Sequence, residues 1–275
     1  MASVETKRRA FRQLHTEPGL FVIPNPWDLG SARILEAEGF LALATTSAGM
    51  AFSMGQAEGS VSFDAALAHC RLLAEAVDIP VSADLEKGIG DSPADAGTSI
   101  RMAIEAALAG ASLEDHTGDP KDPIYPFDHA VERIRAAAEV RDRSAPDFVL
   151  TARCENFLWG QVDLDEVIAR LQAFEQAGAD VLFAPGLKTL EQVQQVAKSL
   201  QRPINVIAGL SGSSFSLPDL AAAGVKRVSL GSSLARLAYG SLIEAAKEIT
   251  GEGRFAFVDR AASFSEIEAR MHRAL

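Results

Sequence analysis

Charged side chains that could do chemistry together follow three short β-rich runs of the sequence. The run VSADLE places Asp84 and Glu86 two residues apart, so both side chains face the same side of a strand. The run ASLEDH carries Glu114, and TARCE places Arg153 and Glu155 on one face. Carboxylates that converge repel one another, and their pKa values rise unless a cation neutralises them. Mg²⁺ fits that need, because it binds one or two carboxylates together with substrate oxygens. Asp84, Glu86 and Glu114 are therefore the candidate metal ligands.

Three further strand ends carry groups that could hold a substrate. Arg153 would bind a carboxylate or enolate oxygen through its fork of N–H groups. The run TTSAG offers Ser47 and the backbone N–H groups of Ala48 and Gly49 as a candidate cradle for a carboxylate. The run INVIAG offers Asn205, for which substrate binding and a structural hydrogen bond are equal alternatives. For the charged set as a whole, the alternative is a structural ion-pair network.

Eight β-rich runs alternate with helical patterns, and they must position these side chains. The predicted strands span residues 21–26, 41–47, 81–86, 111–116, 148–154, 180–186, 203–210 and 225–233. Four helices end in a glycine that leads directly into a strand, in EAEGF, ALAGA, EQAGA and AAAGV, as expected where a glycine of positive φ ends a helix. Parallel strands need such crossover helices, and eight units in about 250 residues predict a (β/α)₈ TIM-type barrel. A doubly wound open sheet is the competing architecture.

The barrel prediction explains why strand ends matter, and it leaves one helix over. Catalytic groups of such barrels lie at the C-terminal ends of the strands. We expect a single domain over residues 1–275, with the barrel in 1–250 and an extension in 251–275. The barrel needs one helix after strand eight, so the second pattern, 263–275, must bury its Ile267 and Met271 face elsewhere, as on another subunit.

Composition excludes several classes of protein. The 275 residues include 26 Lys plus Arg and 37 Asp plus Glu, so the net charge is −11, which argues against a nucleic-acid partner. No apolar run approaches the roughly 20 residues that span a bilayer, so no membrane is expected. Cys70 and Cys154 are too few and too far apart for a disulfide framework. These features predict a cytoplasmic protein.

Several chemically attractive residues carry weaker signals. Cys154 lies between Arg153 and Glu155 and is predicted to face the helices. His116 is at a strand end, and Lys87 is a candidate charge partner on a loop. The Gly/Ser loops 209–214 and 231–233 follow strands seven and eight, where many barrels bind phosphate, although such loops are equally typical of plain turns.

Five motifs, in order, resemble the isocitrate lyase/phosphoenolpyruvate mutase superfamily. They are FVIPNPWDLGSARILEAEGF, ATTSAGMAFSMG, SADLEKGIGD, LED and TARCENF, and the likeness runs from about residue 18 to 235. ADLEKGIGD is similar to the metal loop of that superfamily, ADxDxGYG, and TARCE is similar to its ARTD motif. The likeness is strongest to a small branch of the superfamily.

The resemblance implies a Mg²⁺-dependent barrel that makes or breaks a C–C or C–P bond next to a 2-oxo acid. Asp84 would be the direct metal ligand, and Glu86 and Glu114 would hold the metal through its waters. Arg153 would bind the substrate oxygen and help to stabilise an enolate or aci-anion, in line with the chemistry read from the residues.

The resemblance also implies a substrate cradle and an oligomer. Ser47, with the backbone of Ala48 and Gly49, would hold the carboxylate of the oxo acid. Members of the superfamily assemble as tetramers that exchange a C-terminal helix between barrels, which would give helix 263–275 its partner.

Three departures from the superfamily narrow the expected reaction. The metal motif carries Glu86 where Asp is usual. The stretch DHTGDPKDPIYP lacks the cysteine that isocitrate and methylisocitrate lyases carry in a KKCGH loop. The loop GQAEG offers Glu58 in place of the Asp of a GxPDG loop. These departures favour reactions that need less proton delivery, such as decarboxylation of oxaloacetate.

The leading hypothesis is a lyase that depends on Mg²⁺, with Mn²⁺ as the alternative. It would cleave a C–C bond of a small 2-oxo or 2-hydroxy di- or tricarboxylate, as isocitrate lyase, methylisocitrate lyase or oxaloacetate decarboxylase does. Arg153, Glu114 and Glu58 are its candidate catalytic residues. The alternatives are a non-catalytic barrel that binds 2-oxo acids, a C–P bond enzyme of phosphonopyruvate type, and a metal-independent isomerase of phosphosugars.

Overall fold

Eight short parallel strands form a nearly closed barrel in the computed structural model, which describes residues 2–209 and 215–271. The strands are β1 (Phe21–Ile23), β2 (Leu43–Ala44), β3 (Val81–Asp84), β4 (Gly110–Glu114), β5 (Val149–Arg153), β6 (Val181–Phe183), β7 (Ile204–Ile207) and β8 (Arg227–Ser229). Each strand pairs with its sequence neighbour from β2 to β8, and β8 pairs with β1. A hydrogen bond from the Ala44 N–H to Pro24 O, 3.1 Å, bridges β1 and β2. The predicted (β/α)₈ barrel is confirmed.

Helices separate the strands, and polar side chains cap most of their first turns. The helices are α1 (Val4–Thr16), α2 (Leu29–Ala37), α3 (Ser47–Ser53), α4 (Phe63–Ala76), α5 (Pro93–Glu105), α6 (Phe127–Ser144), α7 (Leu164–Gln176), α8 (Leu190–Lys198), α9 (Leu217–Ala222), α10 (Ser233–Glu252) and α11 (Phe264–Met271). Two 3₁₀ turns lie at Asn156–Trp159 and Ala256–Arg260. Asp28, Ser92, Thr189 and Ser216 form capping boxes, which satisfy the first free N–H groups of their helices. No helix of the described residues is long and apolar enough to cross a membrane.

The glycines between helix and strand have positive φ at three of the four predicted places. Gly39, Gly178 and Gly224 do so. In ALAGA, by contrast, Ala107 takes the left-handed conformation (φ 62°) and Gly110 is the first residue of β4. Gly110 is required because there is no room for a side chain: an added Cβ would lie 2.7 Å from Val149 O and 2.8 Å from Phe11 Cε1.

Helix α1, which the sequence patterns did not predict, seals the N-terminal end of the barrel. Phe11 is fully buried there. It packs in a cluster with residues of β1, β5 and β6 and with the residues that precede β2 and β4, namely Phe21, Ile23, Ala42, Ala109, Val149 and Val181. The buried Lys7 and Arg8 donate to backbone carbonyl groups at the ends of α4 and α5. The cavity of the barrel therefore opens toward the C-terminal ends of the strands.

The predicted extra C-terminal helix is α11, and it packs on α2 of the same chain. The Arg270 guanidinium pairs with Glu38 at 2.6 Å, and Arg33 donates to Met271 O at 3.0 Å. Ile267 is 41% exposed, so the expected burial of its face is incomplete within one chain. Residues 272–275 lie outside the described part.

The contact between α1 and β4 can be tested with Gly110→Ala. A new methyl group has no room between Phe11 and the Val149 carbonyl, so we expect the free energy of unfolding to fall by about 1–3 kcal/mol. Urea denaturation measures it. Gly240→Ala is the matched control: nothing lies within 4 Å of its Cβ position in α10, so no loss of stability is expected. An equal loss in both variants would contradict the assignment.

Candidate active site

The C-terminal ends of the strands enclose a cavity of about 280 Å³. A larger cleft of about 940 Å³ adjoins it, beneath the loops that follow β4 and β5. The walls common to both are Ser47, Glu58, Arg153 and Leu158. Because Asp84 lines the first space, and Glu86 and Glu114 the second, the predicted metal-binding carboxylates surround one opening.

Arg153, the last residue of β5, is the centre of this opening. Its Nη1 lies 2.8 Å from Asp84 Oδ1, and its Nη2 lies 3.1 Å from Glu114 Oε2 and 2.9 Å from Glu155 Oε1. The guanidinium also lies 5.3 Å from the centre of the Phe183 ring. Burial lowers the pKa of Arg153, but Glu155, Glu114 and Asp84 together raise it above its ordinary value. The side chain is a fixed positive charge with a defined orientation.

Asp84, the last residue of β3, is held by hydrogen bonds from three neighbouring strand ends. Its N–H donates to Thr45 Oγ1 at 2.9 Å. Its carboxylate accepts from Ser112 Oγ at 3.4 Å and from the Ser47 N–H at 3.3 Å. With the bond from Arg153, these contacts fix the direction of the carboxylate toward the cavity.

Glu86 is not on the strand that the sequence predicted for it. Strand β3 ends at Asp84, and Glu86 has a left-handed backbone with φ 51°, an uncommon conformation for a residue other than glycine. The turn, and not the alternation of a strand, brings its carboxylate to the cleft. Burial, with Asp84 and Glu58 nearby, raises the pKa of Glu86 to about 7.

Glu114 ends β4 and is almost fully buried. Burial raises the pKa of Glu114, and Arg153 lowers it only in part. Glu58 lies on the exposed loop after α3, where partial burial and then Asp84 raise its pKa. In both cases burial is the main physical cause, and the negative charge of neighbouring carboxylates adds to it.

The donor set fits a hard divalent cation. Four carboxylates, from Asp84, Glu86, Glu114 and Glu155, surround the single guanidinium of Arg153. Within residues 2–209 and 215–271, however, no group of three or more Asp, Glu, His or Cys side chains is placed so that it could hold a metal ion. Carboxylate oxygens are the ligands that hard divalent cations prefer.

The predicted substrate-binding residues occupy different parts of the cavity. Ser47 and Ala48 line it at the start of α3. Gly49 is buried one residue further, and its N–H donates to Thr46 Oγ1 at 3.3 Å. Asn205 is 2% exposed and lines the cavity deep inside the barrel, between Ser229 and Arg227. Both the structural hydrogen bond and the place in the cavity that were expected of Asn205 are present, and the binding roles stay predictions.

The cysteines lie away from the opening. Cys154 is fully buried in the helix layer, as predicted, and donates to Asn156 Oδ1 at 3.3 Å. Cys70 belongs to the core on α4, where burial raises its pKa to about 12.

His116 and Lys87 connect the loops around the cleft. The His116 ring stacks on Trp159 with 4.5 Å between centroids, which joins the loops after β4 and β5. Lys87 donates to Thr117 O and to Asp91 Oδ1, both at 2.7 Å. Of the Gly/Ser loops, Gly231 and Ser232 line the cavity, while residues 210–214 lie outside the described residues.

Sequence reasoning missed residues deeper in the barrel that share this cavity. Thr45 and Ser112 orient Asp84, and Arg227 lies on the cavity floor. The sequence carried a signal for Ser112 and Arg227. Ser112 lies two residues before Glu114, and Arg227 lies two residues before Ser229. In a strand that spacing keeps both side chains on the inner face.

Comparison with known proteins identifies the family. The sequence model of the phosphoenolpyruvate phosphomutase family matches residues 11–250. The chain belongs to the phosphoenolpyruvate phosphomutase family. The resemblance inferred from the sequence motifs is therefore confirmed.

Solved and curated relatives of this family member include lyases, mutases and a decarboxylase. A Burkholderia cenocepacia J2315 protein, whose crystal structure is provisionally described as a lyase/mutase, is 50% identical with a TM-score of 0.94, over 97% of this chain and 95% of that one. The 2-methylisocitrate lyase of Escherichia coli (strain K12) is 29% identical over 74% of this chain and 70% of its own length. The oxaloacetate decarboxylase of Pseudomonas putida (strain GB-1) is 27% identical over 75% and 72%. The chain is accordingly an enzyme of the superfamily.

The charge of Glu86 should make stability depend on pH in metal-free buffer. Because its pKa is raised from 4.5 to about 7, the folded state binds more protons than the unfolded state between those values. Stability contributed by this group is therefore lost as the pH rises through that window. We expect Glu86→Gln to stabilise the protein by about 1 kcal/mol at pH 8, a value reduced for solvent screening, and by little at pH 4.

Thermal melts at both pH values measure this effect. The exposed Glu268→Gln on α11 is the matched control and should show no such difference. A gain at pH 4 as large as that at pH 8 would mean that Glu86 is not the group responsible.

Proposed function

We propose that this protein is a Mg²⁺-dependent lyase that cleaves a C–C bond of a small 2-oxo or 2-hydroxy carboxylate through an enolate-like intermediate. The observation that carries the proposal is the guanidinium of Arg153, fixed between Asp84, Glu114 and Glu155 at the opening of the cavity. Mn²⁺ is the alternative metal. The named relatives, a 2-methylisocitrate lyase and an oxaloacetate decarboxylase, support this reaction class.

The chain's own residues account for binding of the reacting end. Ser47 and Ala48 line the cavity beside Asp84, where they can hold the substrate carboxylate. Arg153 can donate an N–H to the neighbouring oxygen as negative charge develops on it. Its orientation by three carboxylates means that little reorganisation is needed during the reaction.

Asp84 would bind the metal directly, and Glu86 and Glu114 would bind it through its water ligands. When bound, Mg²⁺ would supply positive charge that polarises the oxygen of the oxo or hydroxy acid. The excess of carboxylates over cations at the opening supports this assignment.

Proton transfer is assigned to Glu58. The C–C bond leaves its electron pair on one fragment as an enolate. The other fragment leaves as CO₂ in a decarboxylation, or as a carbonyl compound when the hydroxyl group of a 2-hydroxy acid gives its proton to a neighbouring carboxylate. A proton must then reach the carbon of the enolate. Glu58 lines both the cavity and the cleft, and its raised pKa favours the protonated form relative to an ordinary glutamate. This role would replace the loop cysteine that the stretch DHTGDPKDPIYP lacks.

C–P bond chemistry of phosphonopyruvate type is the second candidate. The match to the phosphoenolpyruvate phosphomutase family favours it. A barrel that binds 2-oxo acids without turning them over is an outcome that the experiment below would reveal.

Turnover is tested by proton NMR with a panel of acids and with phosphonopyruvate. The acids are oxaloacetate, isocitrate, 2-methylisocitrate, citramalate and malate. We expect product signals that disappear with EDTA, and a loss of at least about 100-fold in Asp84→Asn, since a fixed charge at the reacting oxygen is worth that much.

The exposed Asp91→Asn, which loses an ion pair with Lys87 and alters a hydrogen bond from the Tyr125 hydroxyl, is the matched control and should retain turnover. Undiminished turnover in the folded Asp84→Asn variant would contradict the proposed mechanism. Binding without turnover across the panel would favour the non-catalytic barrel.

We also propose a homotetramer in which the C-terminal region contacts other subunits. Large apolar side chains are exposed on α10 and on the segment after it: Leu237, Leu242, Ile243, Ile249, Phe255, Val258, Phe264 and Ile267. Exposed apolar patches of this kind are typical of association surfaces. A cytoplasmic location is proposed as well, supported by the two free cysteines.

The association surface can be tested with Leu237→Asp, since Leu237 is 68% exposed in one chain. Sedimentation velocity should give a tetramer for the wild type and smaller species for the variant, with association weakened at least about 10-fold per buried charge. Leu72→Asp on α4, at 54% exposure and away from the C-terminal region, is the control. A monomeric wild type would contradict the proposal.

A further inference from the structure

The barrel interior below the opening is unusually polar. The inner faces of five strands carry Ser82, Ser112, Thr151, Asn205, Arg227 and Ser229, all of which line the cavity except Thr151. Barrels of this kind are usually filled at these levels by bulky branched apolar side chains. Here small polar groups leave a cavity that extends from Asp84 and Arg153 down to Arg227.

Arg227 on β8 is a buried charge among neutral partners. Its Nη2 donates to Thr151 Oγ1 at 3.0 Å and its Nε donates to Asn205 Oδ1 at 2.9 Å. Its Nη1 lies 3.3 Å from His15 Nε2. His15 is neutral, because burial and then the charge of Arg227 lower its pKa to about 3. Within the described residues Arg227 forms no ion pair with a carboxylate.

Two other buried arginines have an acid partner, while the buried Arg8 and Arg133 donate to backbone carbonyl groups and, unlike Arg227, do not line the cavity. Arg141 pairs with Asp180, and Arg170 pairs with Asp115. Burial lowers the pKa of Arg227 to about 9, so its guanidinium stays charged at neutral pH. A buried charge without an opposite charge is costly to fold around. Its retention on a cavity wall is therefore explained if an anion occupies that cavity.

The distance along the barrel suits the second end of a small diacid. Thr151, which contacts Arg227, lies two residues before Arg153 on β5, so the contact with Arg227 lies roughly 6.6 Å below Arg153 along the strand direction. Arginine carries five N–H donors. Three N–H groups of Arg227 have partners, which leaves others for a ligand.

We propose that Arg227, with Asn205 and Ser229 beside it, binds a second carboxylate of the substrate, so that the enzyme selects dicarboxylates whose distal group points into the barrel. This assignment rests on the proposed function of the opening, where Arg153 and Asp84 hold the reacting end. It makes Arg227 a specificity-determining residue.

Matched pairs of acids test the selectivity by isothermal titration calorimetry in the presence of Mg²⁺. One pair is malate and 2-hydroxybutyrate, and the other is 2-oxoglutarate and 2-oxopentanoate; each pair differs by a carboxylate in place of a methyl group. We expect the wild type to bind the better-fitting diacid about 10–100-fold more tightly than its partner, as for a hydrogen bond to a charged group. In Arg227→Gln that ratio should fall to about 1.

Two further variants keep the test decisive. Asn205→Asp retains the guanidinium and gives it an internal counter-charge, so it too should lower the ratio to about 1, and it decides the question if Arg227→Gln does not fold. Arg141→Gln removes another buried arginine, in the helix layer, and should leave the ratio as in the wild type.

The outcomes separate this assignment from the proposed function. Three outcomes overturn the role of Arg227. The first is a ratio of affinities near 1 in the wild type, the second is a ratio unchanged in both Arg227→Gln and Asn205→Asp, and the third is a wild type that binds none of the four acids. If Asp84→Asn abolishes binding of both members of a pair, the opening binds the reacting end as proposed, whatever the ratio of affinities in the wild type. If Asp84→Asn leaves binding intact while the ratio still depends on Arg227, the proposed function fails and the floor remains an anion site.

Discussion

The guanidinium of Arg153 is shared by three carboxylates, and much of the site depends on that sharing. Each acid comes from a different point of the barrel rim, Asp84 from β3, Glu114 from β4 and Glu155 from the residues after β5. One positive charge cannot neutralise three negative ones, so the opening retains a deficit of positive charge. Burial, together with that deficit, raises the pKa values of Glu86 and Glu114, and the deficit favours a divalent cation at the opening.

The fold keeps this charge cluster rigid through short strands and a sealed base. The strands are only two to five residues long, so the residues that end them are anchored by the ladder hydrogen bonds immediately below. Helix α1 fills the opposite end with Phe11 and His15. His15 in turn contacts Arg227, so the base of the barrel and the floor of the cavity are continuous. Packing at one end thus supports polar groups in the middle and charges at the other.

The repeated helix–glycine–strand pattern was enough to predict the barrel, and strand-end spacing was enough to predict that Asp84, Glu114 and Arg153 lie together at the ends of their strands. Other features had no clear local signal. The early end of β2, where Thr46 caps α3, shortens a strand predicted over 41–47, because a capping side chain competes with continued pairing. The left-handed backbone of Glu86 is set by tertiary contacts, since glutamate has no preference for that conformation.

Helix α1 was not predicted from the sequence because its segment carries many charged residues. Lys7 and Arg8 read as solvent-exposed residues, whereas both are buried with their charges on backbone carbonyl groups. Arg227 was overlooked for a related reason, since inspection of strand ends alone does not reach the inner residue two positions earlier. Periodicity indicates which side of a strand a residue faces, but not how deep the cavity runs.

The seal that α1 forms has a consequence for the order of events in catalysis. Among the described residues the chamber is closed at its base, so both fragments of a substrate cleaved as proposed would leave through the opening at the C-terminal ends of the strands. The fragment bound deeper would then leave last. That product would inhibit the enzyme competitively, and its identity would report which end of the substrate lies deepest in the barrel.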